Sequence, residues 1–270
     1  MRASARTRLF AVLGDPVAHS LSPRFQNAAF LAAGIDAQYV ALRVESAALA
    51  AVIHTIVASG GGGNITIPFK EDAARLDALL APRVKALGAA NLFGGDAAKN
   101  VMLGNTDVDG VLAAIDTLEI PASAWLVLGT GGSARAVAGA AHERGVALAV
   151  RSRDAARANV FANWAASLGV TIVPETECAI AINATPLGLT PADALPLAPG
   201  SLPMLRGVVD LTYRKSGESV WAMMCRAAGM RATDGREVLL AQGAASWALW
   251  FPGIEPPIEV MRAALDGHLG

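Results

Sequence analysis

Short apolar runs alternate with longer amphipathic runs along most of this 270-residue chain. The alternation is typical of βα units, in which each buried strand is followed by a helix that returns over the sheet. It predicts buried strands at residues 9–13, 39–44, 64–67, 125–128, 147–151, 179–183 and 208–211. Alanine-rich helices are expected between them, including residues 23–33 and 46–59. The sequence therefore predicts the α/β class with parallel sheets.

The character of the chain changes near residues 105–111. Upstream, glycine-punctuated βα units carry polar side chains at the predicted strand ends, and downstream a stretch with the layout of a nucleotide-binding unit begins. A chain of this length is long enough for two domains of ordinary size. We expect residues 1–106, with residues 239–270 packing back on them, to form one domain and residues 107–238 to form the other.

Composition excludes several classes of protein. With 53% hydrophobic residues and a net charge of −1, the chain is neither intrinsically disordered nor a nucleic-acid binder with a basic surface. Cys178 and Cys225 are too few for a disulfide framework or a four-cysteine zinc site, so we expect no metal and a reduced, cytoplasmic setting. The longest uncharged run, residues 238–254, contains glutamine, serine, proline and glycine, which favours a core helix over a membrane span.

A glycine-rich turn lies between a predicted strand and a predicted helix, in the sequence W-L-V-L-G-T-G-G-S-A-R of residues 125–135. A diphosphate reaches backbone N–H groups at a helix N-terminus only where side chains leave room, so Gly129 and Gly131 suit a dinucleotide. Ala134 occupies the third glycine position of the G-x-G-x-x-G pattern. The alternative is a tight turn without a ligand, whereas a nucleophile elbow is excluded because Arg135 stands where it needs a glycine.

Arginines follow the next predicted strand, where the adenosine ribose of a dinucleotide lies in such folds. Arg153 and Arg157 offer guanidinium groups that suit a dianionic 2′-phosphate, which favours NADP over NAD. Asp154 lies between them, where it either caps the following helix or repels the phosphate. The alternative is a solvated, charged helix start with no role in cofactor binding.

Two polar segments stand out in the first third of the chain. In G-D-P-V-A-H-S-L-S-P, Ser22 precedes proline and is predicted to cap a helix, whereas Ser20 has no such structural explanation. Two hydroxyl groups beside a helix N-terminus form a suitable site for a carboxylate. In N-I-T-I-P-F-K, a strand over residues 64–67 directs Asn64 and Thr66 to one face of the sheet.

A lysine and an aspartate form the candidate proton-transfer pair. Lys70 is predicted at the start of a helix, where the helix dipole disfavours a cation and so favours a proton-transfer role. Its alternative is an exposed surface lysine. Asp107 precedes the apolar helix predicted over residues 108–118, where it either caps that helix or, beside Lys70, orients the ammonium group and shares its proton.

Taken in order, these segments resemble the shikimate dehydrogenase family. G-D-P-V-A-H-S-L-S-P is similar to the family's carboxylate-binding motif, N-I-T-I-P-F-K to its lysine segment and G-T-G-G-S-A-R-A to its dinucleotide turn. G-A-A-N, G-N-T-D, N-A-T-P-L-G, V-V-D-L-T-Y and D-G-R-E-V-L-L-A-Q fall where the family has its other motifs. The resemblance spans residues 9–250. It implies an N-terminal α/β substrate domain, a Rossmann-type doubly wound dinucleotide-binding domain and an active site in the cleft between them.

The resemblance also implies roles for individual residues. Lys70 matches the catalytic lysine and Asp107 matches its aspartate partner. The positions that match substrate contacts are Ser20, Ser22, Thr66, Asn91, Tyr213 and Gln242. The positions that match the cofactor site are Gly129, Gly131, Gly132, Ser133 and Ala134 in the diphosphate loop, Ser152, Arg153 and Arg157 at the 2′-phosphate, and Leu211 and Gly235 near the nicotinamide.

The activity that the resemblance implies is reversible hydride transfer between NADP(H) and a ring hydroxyl of a small carboxylated polyol. Shikimate is the expected substrate, within aromatic amino acid biosynthesis (the chorismate pathway), and the chain is expected to be a monomer or homodimer. An NAD-dependent quinate or shikimate dehydrogenase and a ligand-binding paralogue without turnover are the alternatives. The chain departs from the family's pattern at Gln26, Leu92, Asp154, Val238 and residues 218–220, where histidine, threonine, threonine, methionine and Thr-Pro-Leu are usual.

Overall fold

The computed structural model describes residues 4–188, 193–214 and 217–267. The strands in these ranges, in chain order, are β1 (Arg8–Gly14), β2 (Ala37–Arg43), β3 (Gly62–Ile65), β4 (Leu79–Leu80), β5 (Leu92–Gly95), β6 (Val101–Gly104), β7 (Ala124–Leu128), β8 (Leu148–Arg151), β9 (Cys178–Asn183), β10 (Gly207–Asp210) and β11 (Arg231–Thr233). The α-helices are α1 (Ser22–Ala32), α2 (Leu49–Ala58), α3 (Lys70–Ala73), α4 (Pro82–Leu87), α5 (Asp107–Asp116), α6 (Gly132–Arg144), α7 (Ala155–Ser167), α8 (Val220–Ala227), α9 (Gly235–Ala245), α10 (Trp247–Trp250) and α11 (Ile258–Asp266).

The chain divides into two compact units, each with its own sheet. Unit 1 consists of Met1–Thr106 and Leu239–Gly270, and unit 2 consists of Asp107–Val238. The chain therefore passes out of unit 1 once and returns to it once, within helix α9. Every helix in the described part of the chain is too short or too polar to cross a lipid bilayer.

The sheet of unit 1 has six strands in the order β2-β1-β3-β5-β6-β4. Strand β1 pairs in parallel with β2 and β3, but β5 is antiparallel to both β3 and β6. The predicted parallel pairing therefore holds for only part of this sheet. The reason is a tight turn between β5 and β6, which the side chain of Asp96 closes by accepting hydrogen bonds from the N–H groups of Ala98 and Asn100.

The sheet of unit 2 is wholly parallel, as predicted, with the order β11-β10-β9-β7-β8. Strand order reverses on either side of β7, because β8 lies beside one edge of β7 and β9 lies beside the other. In open parallel sheets, ligands bind at the carboxyl ends of the strands that flank such a reversal. The glycine-rich turn follows β7 directly, so the fold places it at this point.

The predicted strands are all present, but several predicted boundaries are wrong. Strand β3 ends at Ile65, and Thr66 lies in the turn that follows, where its carbonyl accepts the N–H of Phe69. The predicted helix over residues 46–59 begins as a 3-10 turn before α2. The run of residues 238–254 contains most of α9 and all of α10 rather than one helix, and the two are separated at Ser246.

An aromatic cluster attaches the returning segment to the rest of unit 1. Trp247 and Trp250 are buried, and Trp250 lies 5.2 Å from Phe10 between ring centroids. The Nε1 groups of the two tryptophans donate to Gln26 Oε1 at 2.9 Å and to Phe93 O at 3.0 Å. Gln26 therefore has a packing role here, in place of the family's histidine. Because indole N–H groups need partners when buried, these bonds set the position of α10.

Candidate active site

The loops that follow β1 and β3 are packed together in unit 1. The N–H of Asp15 donates to the carbonyl of Ile67 at 3.0 Å, and the N–H of Thr66 donates to the carbonyl of Leu13 at 2.9 Å. A Cβ atom on Gly14 would lie 2.5 Å from Thr66 Cγ2, so glycine is required for this approach. The structure thus brings the loop that carries the two predicted serines against the turn that carries Thr66.

The two serines lie at the start of α1, but not in the predicted arrangement. Ser22 is the first residue of the helix, Leu21 occupies the cap position, and no described side chain makes a capping hydrogen bond there. The prediction that Ser22 caps α1 is therefore wrong, because Leu21 already has helical backbone angles. Instead, the N–H of Ser22 donates to Ser20 Oγ at 3.2 Å. This bond gives Ser20 a defined position that the sequence did not explain.

Lys70 is half-buried and begins helix α3, as predicted. With four residues, α3 has only a small dipole, so the predicted dipole effect on this ammonium group is weak. The backbone of the lysine is held from another segment, since its carbonyl accepts the N–H of Ala90 at 2.8 Å. Ala90 precedes Asn91, so this bond places Lys70 beside the segment that carries this predicted substrate residue, just before β5.

Asn91 is the centre of a buried hydrogen-bond network. Its Oδ1 accepts the N–H of Thr106 at 2.7 Å, and its Nδ2 donates to Thr106 Oγ1 at 3.1 Å and to Gln242 Oε1 at 3.3 Å. All three side chains are at most 6% exposed. The structure therefore brings together two predicted residues, Asn91 and Gln242, that are far apart in sequence. It adds Thr106, which the sequence analysis did not select.

Three further residues extend this network. Asn64 Nδ2 donates to the carbonyl of Asn91 at 3.2 Å and to Ser246 Oγ at 3.1 Å, and it lies 3.5 Å from Gln242 Oε1. Tyr39, which is 1% exposed, donates its hydroxyl to Asn64 Oδ1 at 2.8 Å. Asn64 belongs to a motif that the sequence displays, whereas no local signal marks Tyr39 or Ser246. Their contribution depends on strand pairing and on the returning helix.

The mixed sheet explains why these polar groups meet. Because β5 is antiparallel to both β3 and β6, its amino end lies beside the carboxyl ends of these two strands. Asn91 immediately precedes β5, and Asn105 and Thr106 follow β6. Asp107 is the next residue and the first of α5, in unit 2. The pairing of Asp107 with Lys70 stays a prediction.

In unit 2, the glycine-rich turn has the backbone that a phosphate site requires. Gly129 has φ +108°, and a Cβ atom there would lie 2.9 Å from the carbonyl of Ala184. Gly131 faces open space, and no described side chain caps the helix that begins at Gly132. Ala134 is fully buried, as the close-packing position of the pattern requires. The first N–H groups of α6 are therefore not covered by a capping side chain.

At the end of β8, the structure decides between the two predicted roles of Asp154. Its Oδ1 accepts the N–H groups of Ala156 and Arg157 at 2.9 and 3.2 Å, so Asp154 caps α7. Ser152 Oγ in turn accepts the N–H of Asp154 at 3.3 Å. Arg153 and Arg157 are exposed, and neither guanidinium has an ion-pair or hydrogen-bond partner among the described residues.

A second buried polar cluster lies at the carboxyl ends of β9 and β10. Asn183 Nδ2 donates to Asp210 Oδ1 at 2.8 Å, and Thr212 donates to the same oxygen from its N–H and its hydroxyl. Burial raises the pKa of the Asp210 carboxyl, although these hydrogen bonds act in the opposite direction. The predicted residues of this region, Leu211, Tyr213 and Gly235, follow β10 and β11. Asn183, Asp210 and Thr212 lie in motifs that the sequence displays, but they were not among the predicted site residues.

Comparison with known proteins agrees with this organisation. The model of the shikimate dehydrogenase substrate binding domain matches residues 12–93, and that of the shikimate 5′-dehydrogenase C-terminal domain matches residues 235–265. The NADP(+)-dependent shikimate dehydrogenase of Prochlorococcus marinus is 32% identical to this chain over 98% of it and 99% of that protein.

Two solved structures show the similarity of the fold. Shikimate 5-dehydrogenase from Thermus thermophilus, in complex with NADP(H) and shikimate, has a TM-score of 0.84 and 34% identity, covering 96% of this chain and 98% of that one. Quinate dehydrogenase from Corynebacterium glutamicum, in complex with NAD, has a TM-score of 0.83 and 25% identity, with coverage of 96% and 98%.

We expect Tyr39→Phe to destabilise the protein by about 1–3 kcal/mol, because it leaves Asn64 Oδ1 buried without this donor. The ring contacts with Phe30 and Trp250 are kept in this variant. Thr55→Val is the control, since it removes an exposed hydroxyl that bonds within one helix, and it should change stability by less than about 0.5 kcal/mol. Urea unfolding measures both changes, and equal values for the two variants would contradict the prediction.

Proposed function

Because this chain belongs to the shikimate dehydrogenase family, we propose that it transfers a hydride reversibly between NADP(H) and a ring hydroxyl, interconverting shikimate and 3-dehydroshikimate. The observation that carries the proposal is the buried network around Asn91. It places Asn91 and Gln242 in hydrogen-bond contact at the sheet edge where the segments of Lys70 and Thr106 also lie. A relative with 34% identity has been crystallised with both NADP(H) and shikimate, which supports the same activity.

The residues of unit 2 fit a bound NADP molecule. Gly131 leaves open space before α6, so the N–H groups at this helix N-terminus suit a diphosphate, with Gly129, Gly132, Ser133 and Ala134 completing the loop. The unpartnered guanidinium groups of the described Arg153 and Arg157, with the hydroxyl of Ser152, suit a 2′-phosphate. When bound, the dinucleotide supplies or accepts the hydride.

Polar groups of unit 1 suit a small carboxylated polyol. Ser20 and Ser22 present hydroxyl groups beside the start of α1, and we assign the substrate carboxylate to them. Asn91, Thr66 and Gln242 are assigned to the ring hydroxyls, together with Tyr213 of unit 2. Because Asn91 and Gln242 are held by each other and by Asn64, their amides are ordered before substrate binds, which lowers the entropic cost of binding.

Lys70 and Asp107 carry the proton transfer in this proposal. In the reducing direction, the Lys70 ammonium donates a proton to the oxygen that becomes the new hydroxyl. In the oxidising direction, the neutral Lys70 amine removes that proton. Asp107 accepts a hydrogen bond from the substrate hydroxyl and keeps it in register with the lysine. General acid–base catalysis of this kind contributes about 10²- to 10⁴-fold to the rate.

An NAD-dependent quinate or shikimate dehydrogenase is the second candidate, and Asp154 is the observation that favours it. The residue is an acid after β8, where a carboxylate suits the 2′-hydroxyl of an NAD ribose. The structure of the quinate dehydrogenase of C. glutamicum has been solved in complex with NAD. Against this candidate, the carboxylate already accepts two N–H groups of α7, and two arginines flank it.

We also propose a reduced, cytoplasmic setting for the protein. Cys178 and Cys225 are both free thiols in the interior of unit 2. Burial raises the pKa of each thiol to about 11, so both stay protonated and unreactive near neutral pH.

Light scattering during size-exclusion chromatography distinguishes the monomer from the homodimer, and both are compatible with the proposed activity.

Initial rates across four substrate–cofactor pairs test the proposed function directly. We expect the chain to oxidise shikimate with NADP+ at a higher kcat/KM than shikimate with NAD+, quinate with NADP+ or quinate with NAD+. The absorbance of the reduced nicotinamide measures all four rates. A higher kcat/KM for quinate with NAD+ would favour the second candidate. Binding of NADP+ and shikimate without any change in absorbance would refute an enzymatic role.

We expect Lys70→Ala to lower kcat by about 10²-fold or more while changing the KM for shikimate much less, because the general acid is lost. Lys85→Ala is the matched control, since Lys85 is an exposed lysine on helix α4 of the same unit and should keep the parent's kcat. Steady-state kinetics in both directions measure these changes. A Lys70→Ala variant with a kcat within a few-fold of the parent would contradict the proposed role.

Arg153→Ala should weaken NADP+ binding by about 1–3 kcal/mol, the range for a lost hydrogen bond to a charged group, and should leave NAD+ binding almost unchanged. Arg231→Ala is the control, because Arg231 is an exposed arginine at the amino end of β11, paired with Glu119, at the opposite edge of the sheet. Calorimetric titration with each dinucleotide measures the difference. Equal weakening for NADP+ and NAD+ would show that Arg153 does not contact the 2′-phosphate.

A further inference from the structure

Asp210 is a buried acid that the proposed proton transfer does not use. It is the last residue of β10, it is 0% exposed, and its register partner is Asn183 at the end of the neighbouring strand β9. A carboxyl group in the interior costs free energy unless it is hydrogen-bonded. Asp210 is the one charged residue that is buried in the strands of this sheet within the described residues, and its neighbour Asn183 is also polar, so the pair calls for a structural or functional explanation.

One oxygen of this carboxyl group accepts hydrogen bonds from the neighbouring strand β9 and from the loop that follows β10. Asp210 Oδ1 accepts Asn183 Nδ2 at 2.8 Å, the N–H of Thr212 at 3.0 Å and Thr212 Oγ1 at 2.9 Å. The backbone after β10 therefore turns around the side chain that ends the strand. Thr212 is itself 7% exposed, so water does not replace these bonds easily.

The same arrangement continues from Thr212 to the start of α9. The carbonyl of Thr212 accepts the N–H of Gly235 at 3.0 Å, and a Cβ atom on Gly235 would lie 2.5 Å from the carbonyl of Leu211. Glycine is therefore required where α9 begins. Asp210 is therefore connected to Gly235 through Thr212, and Leu211 and Tyr213 are the chain neighbours of Thr212 on either side.

We propose that Asp210 is a positioning residue for the nicotinamide half of the dinucleotide. This inference rests on the proposed function, which assigns Leu211 and Gly235 to the nicotinamide. In the sheet order, β9 and β7 lie between β10 and β8, so Asp210 is about 14 Å from the strand that ends at the adenosine site, at about 4.8 Å per strand. Asp210 therefore acts on one half of the ligand and not on the 2′-phosphate end.

Comparing the affinities of two ligands distinguishes this role of Asp210 from a general contribution to stability. NADP+ contains both halves, whereas adenosine 2′,5′-bisphosphate has the adenosine and the 2′-phosphate but no nicotinamide. Calorimetric titration of the whole chain should show that Asp210→Ala weakens NADP+ at least tenfold and changes the bisphosphate less than twofold. Asp210→Asn keeps an acceptor oxygen, and it should recover most of the NADP+ affinity.

A smaller change keeps the inference testable if Asp210→Ala does not fold. Thr212→Val removes only the hydroxyl bond to Asp210 and should weaken NADP+ about threefold or more, whereas Thr212→Ser should bind like the parent. Trp221→Phe is the control for lost stability, since it removes a buried bond to the carbonyl of Leu197 in the same unit. This variant should unfold at a lower temperature but keep the parent's ratio of the two affinities.

Amide hydrogen exchange of the ligand-free protein gives a readout that needs no cofactor. Asp210→Ala should raise exchange at Thr212 and Gly235 at least tenfold and leave the glycine-rich turn at Gly131 unchanged. Equal weakening of both ligands by Asp210→Ala would overturn the proposal, as would a parent that binds NADP+ no better than the bisphosphate. A parent that binds both ligands but does not oxidise shikimate would refute the proposed function and leave this inference standing.

Discussion

The carboxamide of Asn91 connects segments of unit 1 that lie far apart in the sequence, and the arrangement of the polar side chains in this unit depends on it. The Oδ1 of Asn91 accepts the N–H of Thr106, and its Nδ2 donates to Gln242 on helix α9, which lies near the far end of the sequence. Both partners are buried, so an unmade bond here would carry the full cost of desolvation. Thr106, which this amide holds, is the last residue of unit 1, and Asp107 is the first residue of helix α5 in unit 2.

The two units hold their polar side chains and loops in place with different chemical groups. In unit 1, neutral amides and hydroxyls are linked so that each orients the next, from Tyr39 through Asn64 to Gln242. In unit 2, glycines allow close approach of two loops, and the Asp210 carboxyl holds the loop after β10. Hydrogen-bond networks of this kind are stable only when nearly all members are satisfied, which ties each site to the geometry of its sheet.

These arrangements suit the different ligands proposed for the units. A polyol presents hydroxyl groups that both donate and accept hydrogen bonds, and amides match it in both roles. The phosphates of a dinucleotide only accept hydrogen bonds. The protein groups that match them, backbone N–H groups and guanidinium groups such as that of Arg153, only donate. After β8, the carboxylate of Asp154 is occupied by two N–H groups of α7, because it caps that helix.

The sequence alone was enough to predict the α/β class, the wholly parallel sheet of unit 2 and the glycine-rich turn, because hydrophobic periodicity and glycine positions are local properties. It left Asp154 with two roles, and only the backbone of α7 showed that it caps the helix. It placed Ser22 in a cap that Leu21 occupies, because one helical residue more or less depends on packing around the first turn. Tyr39, Ser246 and the mixed sheet of unit 1 had no local signal. Tyr39 and Ser246 bond to Asn64 from 25 and 182 positions away, and strands β3 and β5 pair although helices α3 and α4 lie between them in the chain. Such pairings are decided only when the chain is folded.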